Sequence, residues 1–152
     1  MCNSLSNAVH HADIKMRKRI AAIVDDDEIT SAIMAEFCRR HEYEPMIYRS
    51  GVDAIFGLYD RRPDVLITDV HMPNLGGDIL LWHLIDPPYV FQDVPIAIFT
   101  GDQSYTPKTE HGELNIQVFF KQDGLAKLGH FLDELKGAAL NERPARHTSE
   151  MN

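Results

Sequence analysis

Residues 65–77 read VLITDVHMPNLGG. The first four residues are apolar or β-branched, the composition of a strand buried on both faces. The run stops at Asp69, and Pro73, Gly76 and Gly77 then impose a turn. An aspartate directly after a buried strand is either a helix cap or a site residue, and the rest of the chain decides between them.

Four more short runs have the same character: Ile20–Val24, Pro45–Tyr48, Ile96–Phe99 and Ile116–Phe120. Segments with helical spacing lie between them. Ile29, Ile33 and Phe37 recur at i, i+4 and i+8, with Ala32 and Met34 beside the stripe. Ser50 and Asp53 form a capping box opening a helix whose expected core face is Val52, Ile55, Leu58 and Tyr59. Leu80, Leu81, Leu84 and Ile85 make a third stripe, stopped by Pro87 and Pro88. Asp123 can cap a last helix carrying Leu125, Leu128, Leu132 and Leu135. The fourth connection, DQSYTPKTEHGE at 102–113, holds Pro107, Gly112 and almost no apolar stripe, so a short, irregular or mobile helix is expected. Strands alternating with helices predict an α/β fold: five βα units around a parallel sheet.

Length and composition bound the rest. At 152 residues, 44% hydrophobic and 25% charged, the chain suits one globular domain. The predicted boundaries are a flexible basic leader over 1–18, the domain over 19–139 and a polar tail over 140–152. No run approaches the roughly 18–20 apolar residues of a membrane span. Residues 1–20 lack the apolar region of a secretory signal, and Cys2 and Cys38 make no disulfide framework, so a cytoplasmic setting is expected. The net charge of −8 argues against nucleic acid as a direct partner. That charge is unevenly placed: residues 1–19 carry +3, leaving −11 on the remainder.

The acidic residues fall at telling places. Asp25, Asp26 and Asp27 follow the first strand, Asp69 the third, Thr100 the fourth and Lys121 the fifth. In an open doubly wound sheet that carboxyl edge is where ligands bind. If strands one and three are neighbours, Asp25, Asp26 and Asp69 converge on one crevice. Two carboxylates about 4 Å apart repel by about 4 kcal/mol at an effective dielectric near 20. They therefore call for a proton or a hard cation, and Mg2+ suits an all-oxygen site that keeps positions for water and a phosphoryl group; Mn2+ can substitute. A carboxylate, a metal, a lysine and a hydroxyl are the parts needed to form an aspartyl phosphate.

IVDDDE at 23–28, VLITDVHMPNLGG at 65–77, IAIFTGD at 96–102 and VFFK at 118–121 together resemble the receiver domains of response regulators, the CheY-like family. The likeness covers about residues 19–139, with the motifs in order and spaced by 43, 31 and 21 residues from Asp26 to Asp69, Thr100 and Lys121. The resemblance implies a flavodoxin-like (βα)5 doubly wound sheet of strand order 2-1-3-4-5 in a single domain. It implies Asp69 as phosphoacceptor, Lys121 as the holder of a phosphoryl oxygen, and Thr100 as the hydroxyl that turns inward. Mg2+ would bind Asp26 directly, Asp25 mainly through water, Asp69, and the backbone carbonyl of His71. Pro73 and Gly77 would shape the loop after the acceptor.

The implied function is that of a two-component phosphorelay response regulator. A sensor histidine kinase or histidine phosphotransfer protein would donate the phosphoryl group. A downstream effector protein would be met through the fourth and fifth helices and the fifth strand. It would be a signalling protein and not an enzyme, and too few residues follow the last helix for an output domain.

Three positions depart from the family pattern: Gln122 stands where proline is usual, Val118 where an aromatic switch residue is common, and Gly76 where an acidic residue is common. His71 and Asp102, two positions past Asp69 and Thr100, would tune phosphoryl lifetime. Two other readings compete. A pseudo-receiver that is never phosphorylated is favoured by Gln122 and Val118. A Mg2+-dependent phosphohydrolase is suggested by the D-x-D of Asp25 and Asp27, though no insertion supplies a cap over a substrate. The eight histidines have no zinc spacing.

Overall fold

A computed structural model of the chain describes residues 17–72, 76–86, 91–108, 111–112 and 114–141. The leader up to residue 16, Pro73, Pro87, Pro88 and the tail from 142 lie outside the described residues. The elements run β1 (Arg19–Val24), α1 (Glu28–Arg40), β2 (Tyr43–Tyr48), α2 (Gly51–Asp60), β3 (Val65–Thr68), α3 (Gly77–Ile85), β4 (Ile96–Thr100), β5 (Ile116–Phe120) and α4 (Gly124–Asn141). The five strands are all parallel and ordered β2-β1-β3-β4-β5. This is the flavodoxin-like doubly wound sheet, with its switch point between β1 and β3.

Two apolar layers sandwich the sheet. Ala22, Val24, Leu66, Ile96 and Ile98 face α2 and α3 through Ala54, Leu58, Leu80, Leu81 and Leu84. Ala21, Ile23, Ile67 and Ala97 face α1 and α4 through Met34, Ala35, Cys38, Leu128 and Leu132. The central strands β3 and β4 are buried at every position, as their apolar runs require. The edge strands β2 and β5 are only partly buried, so the expectation of burial on both faces fails there.

Two helices are rotated from their expected phase. In α1 the buried residues are Ser31, Met34, Ala35 and Cys38, while Ile29 and Ile33 are 73% and 58% exposed. The cause is local. The Asp27 carboxylate caps the Thr30 amide at 2.8 Å, and the Ser31 hydroxyl donates to the carbonyls of Asp25 and Asp27. Those bonds turn Ser31 inward, and its stripe of small and soft residues lets the helix sit close on the sheet. In α2, Gly51, Ala54 and Leu58 are buried and Ile55 is partly so, whereas Val52 and Tyr59 lie outward with Phe56. The Ser50 hydroxyl caps the Asp53 amide at 3.1 Å and sets this phase. The α3 stripe is as expected, and in α4 only Leu125 departs, being exposed.

The fourth connection carries no α-helix among its described residues, and His111 stands in a 3-10 turn. It is a series of turns in which Tyr105, His111 and Leu114 each donate a backbone bond three residues back. Pro107 and the lack of a repeating apolar stripe disfavour a regular α-helix there. Among the described residues there are thus four α-helices, and the described part of the fourth connection adds none to the expected output face.

One glycine tests the packing of α2 on β2. A Cβ at Gly57 would come within 2.6 Å of Cζ of Tyr48. Gly57→Ala should therefore lower stability by about 1–3 kcal/mol through overpacking, although the same change in an open helix would raise it. Urea unfolding of the two proteins, compared by midpoint, decides the sign.

Candidate phosphoacceptor site

The residues after three strands are drawn together with Thr100, the last residue of β4, because the backbone ladder runs one residue past those strand ends. Asp25 N–H donates to Tyr48 O, Asp69 N–H to Val24 O, and Lys121 N–H to Thr100 O, at 3.2, 3.1 and 2.9 Å. Each site residue is thereby pinned to a neighbouring strand. Asp25, Asp69 and Thr100 are buried at this edge, a costly position for two like charges.

Lys121 joins them. Its Nζ lies 2.7 Å from Asp69 Oδ2 and 3.6 Å from Asp25 Oδ2. Burial would lower the lysine's pKa, but the bond to Asp69 and the charges of Asp69 and Asp25 outweigh it and hold the ammonium above its usual range. Asp25 moves up from the ordinary carboxylate range. Burial is the main cause, with the charges of Asp69 and Asp26 adding to it, against the opposing pull of the Asp27 amide and Lys121. One lysine thus leaves the buried carboxylates short of positive charge.

The other expected residues take distinct positions. Asp26 is exposed beside the pair and has no hydrogen-bond or ion-pair partner among the described residues. Asp27 is the α1 cap: the Thr30 amide lowers its pKa and occupies its carboxylate. That commitment leaves D-x-D without a second free carboxylate at Asp27. The His71 amide donates to Asp69 Oδ1 at 3.2 Å, folding the loop after β3 over the acceptor. Thr100 accepts the Asp102 amide at its hydroxyl, 3.1 Å away.

A second polar group crosses the same edge. His71 Nε2 lies 3.1 Å from Asp102 Oδ2, and Asp102 Oδ1 accepts both the amide and the hydroxyl of Ser104. Those Ser104 bonds, with His71, hold the Asp102 carboxyl down at about 2. The sequence marked His71 and Asp102 separately but not their pairing, nor Ser104; the D-x-S spacing of an Asx turn was the available signal. Gln122 was also read only as a departure. Its Nε2 donates to Gly101 O at 3.1 Å and ties the loop after β5 to the loop after β4.

Comparison with known proteins identifies the arrangement. The response regulator receiver domain matches residues 21–124, more than half of the chain. The chain belongs to that family. As a receiver domain it is part of two-component signalling, in a family that binds Mg2+. It is 26% identical over 92 residues to the CAI-1 autoinducer sensor kinase/phosphatase CqsS of Vibrio cholerae, a match covering 60% of this chain and 13% of that protein. The chain therefore spans only a small part of that curated relative. The CheY-like receiver domain from Methylobacillus flagellatus superposes with a TM-score of 0.68 at 19% identity, covering 78% of this chain and 99% of that one. The response regulator TrrA from Thermotoga maritima, solved in complex with Mg2+-BeF, gives 0.67 at 18% identity over 77% and 98%. At these identities the superpositions speak for the fold. Among the described residues no helix is long and apolar enough to cross a membrane.

The donor set of this receiver fits a magnesium ion. Among the described residues no three His, Cys, Asp or Glu side chains close into a metal cluster. Mg2+ requires no such cage, since it keeps several waters and takes one or two carboxylates. The buried Asp25 and Asp69, with Asp26 beside them, supply oxygens and lack cationic charge.

The raised pKa of Asp25 carries a sign. A carboxyl that is harder to ionise when folded adds stability below its unfolded pKa, and that stability is lost as pH rises through the folded value. Asp25→Asn should therefore raise the stability of the metal-free protein at pH 7. The advantage should shrink as pH falls through the raised folded value and be gone below the unfolded value of 3.8, in urea titrations with chelator present.

Proposed function

We propose that Asp69 accepts a phosphoryl group and that the chain works as a single-domain response regulator, signalling by contact with other proteins. The observation that carries this reading is the single ammonium of Lys121 held against both buried carboxylates, with the Thr100 hydroxyl on the adjoining strand. Bound Mg2+, held by Asp25, Asp26, Asp69 and the His71 carbonyl, would supply charge neutralisation for the phosphoryl oxygens. The complex of TrrA with Mg2+-BeF supports that choice of ion.

An Asp69 carboxylate oxygen attacks the phosphorus of a phosphohistidine or a small acyl phosphate. The P–N or P–O bond to the donor breaks as the new P–O bond forms, and the donor departs with that electron pair. Lys121 leaves its ion pair with Asp69 to hold a phosphoryl oxygen. Thr100 exchanges the Asp102 amide for the phosphoryl group, which its hydroxyl can reach by donating. The His71–Asp102 pair stands over the same edge and sets how readily water reaches the phosphoryl group. The donor, a sensor histidine kinase or a histidine phosphotransfer protein, docks on the exposed Ile29 and Ile33 of α1, which begins at the acidic edge. The work is done in the cytoplasm, and the chain turns over no substrate of its own.

Intact-mass spectrometry after incubation with Mg2+ and acetyl phosphate tests this reading. The parent should gain one phosphoryl mass, while Asp69→Asn and the parent in chelator should gain none. Following the added mass over time should show a changed half-life in His71→Ala, Asp102→Ala. Gain by Asp69→Asn, or no gain by the parent, would overturn the assignment.

A further inference from the structure

Position 118, where the family commonly has an aromatic switch residue, is valine, and the rings of the fifth strand stand instead at Phe119 and Phe120. A different aromatic lies on a connected path. Tyr105 is partly buried, packs on the same apolar cluster as Val118, and sits in the turn-rich connection between β4 and β5. Its amide donates to Asp102 O at 3.2 Å, and the Asp102 amide donates to the Thr100 hydroxyl at 3.1 Å. At its other end the Tyr105 hydroxyl donates to Asp78 Oδ1 at 2.9 Å, in the first turn of α3.

Two further contacts fasten this connection to α3. Lys108 Nζ lies 3.6 Å from Asp78 Oδ2, and the buried His111 ring meets Trp82 edge-on at 5.4 Å between centroids. Asp78 and Trp82 stand one helical turn apart on α3, whose outward side shows Ile79 and Trp82 at 48% and 44% exposure. The described residues of this connection are thus joined to the acceptor site through Asp102 and stapled to α3 through Tyr105, Lys108 and His111.

We propose that Tyr105 is the coupling residue of this receiver, carrying movement of Thr100 through its Asp78 bond to α3. The inference rests on the reading of Asp69 as phosphoacceptor and says where the consequence goes. When Thr100 turns to the phosphoryl group, its hydroxyl releases the Asp102 amide. The peptide at Asp102 is then free to shift, and the Tyr105 amide bond draws the ring with it. Because the Tyr105 hydroxyl holds Asp78, α3 moves as part of the same unit. A population shift of this kind needs a contact present in one state and altered in the other, and the Thr100–Asp102–Tyr105–Asp78 chain provides one. The conformational output is then delivered to the α3 surface.

Trp82 is the sole tryptophan, so its emission reports on α3 alone. The full chain with Mg2+ and acetyl phosphate is followed by tryptophan emission and by intact mass on the same samples. The parent should gain its phosphoryl mass and change its emission. Tyr105→Phe should gain the same mass and lose the emission change. Asp78→Ala should behave as Tyr105→Phe does, which covers a failure of either variant to fold. Asp78→Asn, which keeps an acceptor oxygen for the tyrosine, should retain the change. A phosphorylated parent with constant emission, or full emission changes in both Tyr105→Phe and Asp78→Ala, overturns the coupling role alone. A parent that gains no mass overturns the phosphoacceptor reading and this inference with it.

Discussion

Two buried carboxylates sharing one ammonium is the constraint on which this receiver depends. The parallel register places Asp25 and Asp69 on adjacent strands, each held by a backbone bond to its neighbour. Neither can retreat to solvent without breaking the ladder. Lys121 reaches Asp69 from two strands away and Asp25 from three and stabilises them, but a single charge does not offset two in a site removed from water. A bound cation would offset that same deficit.

The surroundings follow from keeping that edge in place. The caps at Asp27 and Ser50 set the phases of α1 and α2, and each phase puts small residues against the sheet. Large apolar residues are left outward as a consequence: Ile29 and Ile33 on one side of the sheet, Phe56 and Tyr59 on the other. At the opposite end of the active edge, Gln122 ties two loops with a side-chain amide where the family commonly uses a ring.

Much of this was legible in the sequence, and the failures have physical causes. Short apolar and β-branched runs mark strands, so β3 and β5 were bounded to the residue and the others within two, although only the central strands are buried on both faces. The positions of Asp25, Asp69, Thr100 and Lys121 at strand ends were likewise readable, since a strand end is where an apolar run stops. Helix phase was not. Hydrophobicity favoured Ile29, Ile33 and Phe37, whereas a capping bond and close approach selected Ser31, Ala35 and Cys38. The fourth connection was seen to be weak, but the contacts fastening it to α3 join residues distant in sequence and leave no periodic trace. The His71–Asp102 pair was hidden for the same reason.

Calorimetric titration of Mg2+ into the unphosphorylated chain tests the charge deficit most directly. The account predicts one ion per chain, with affinity weakened by about tenfold or more in both Asp25→Asn and Asp69→Asn. Binding that survives unchanged in both variants, or no binding by the parent, would contradict it.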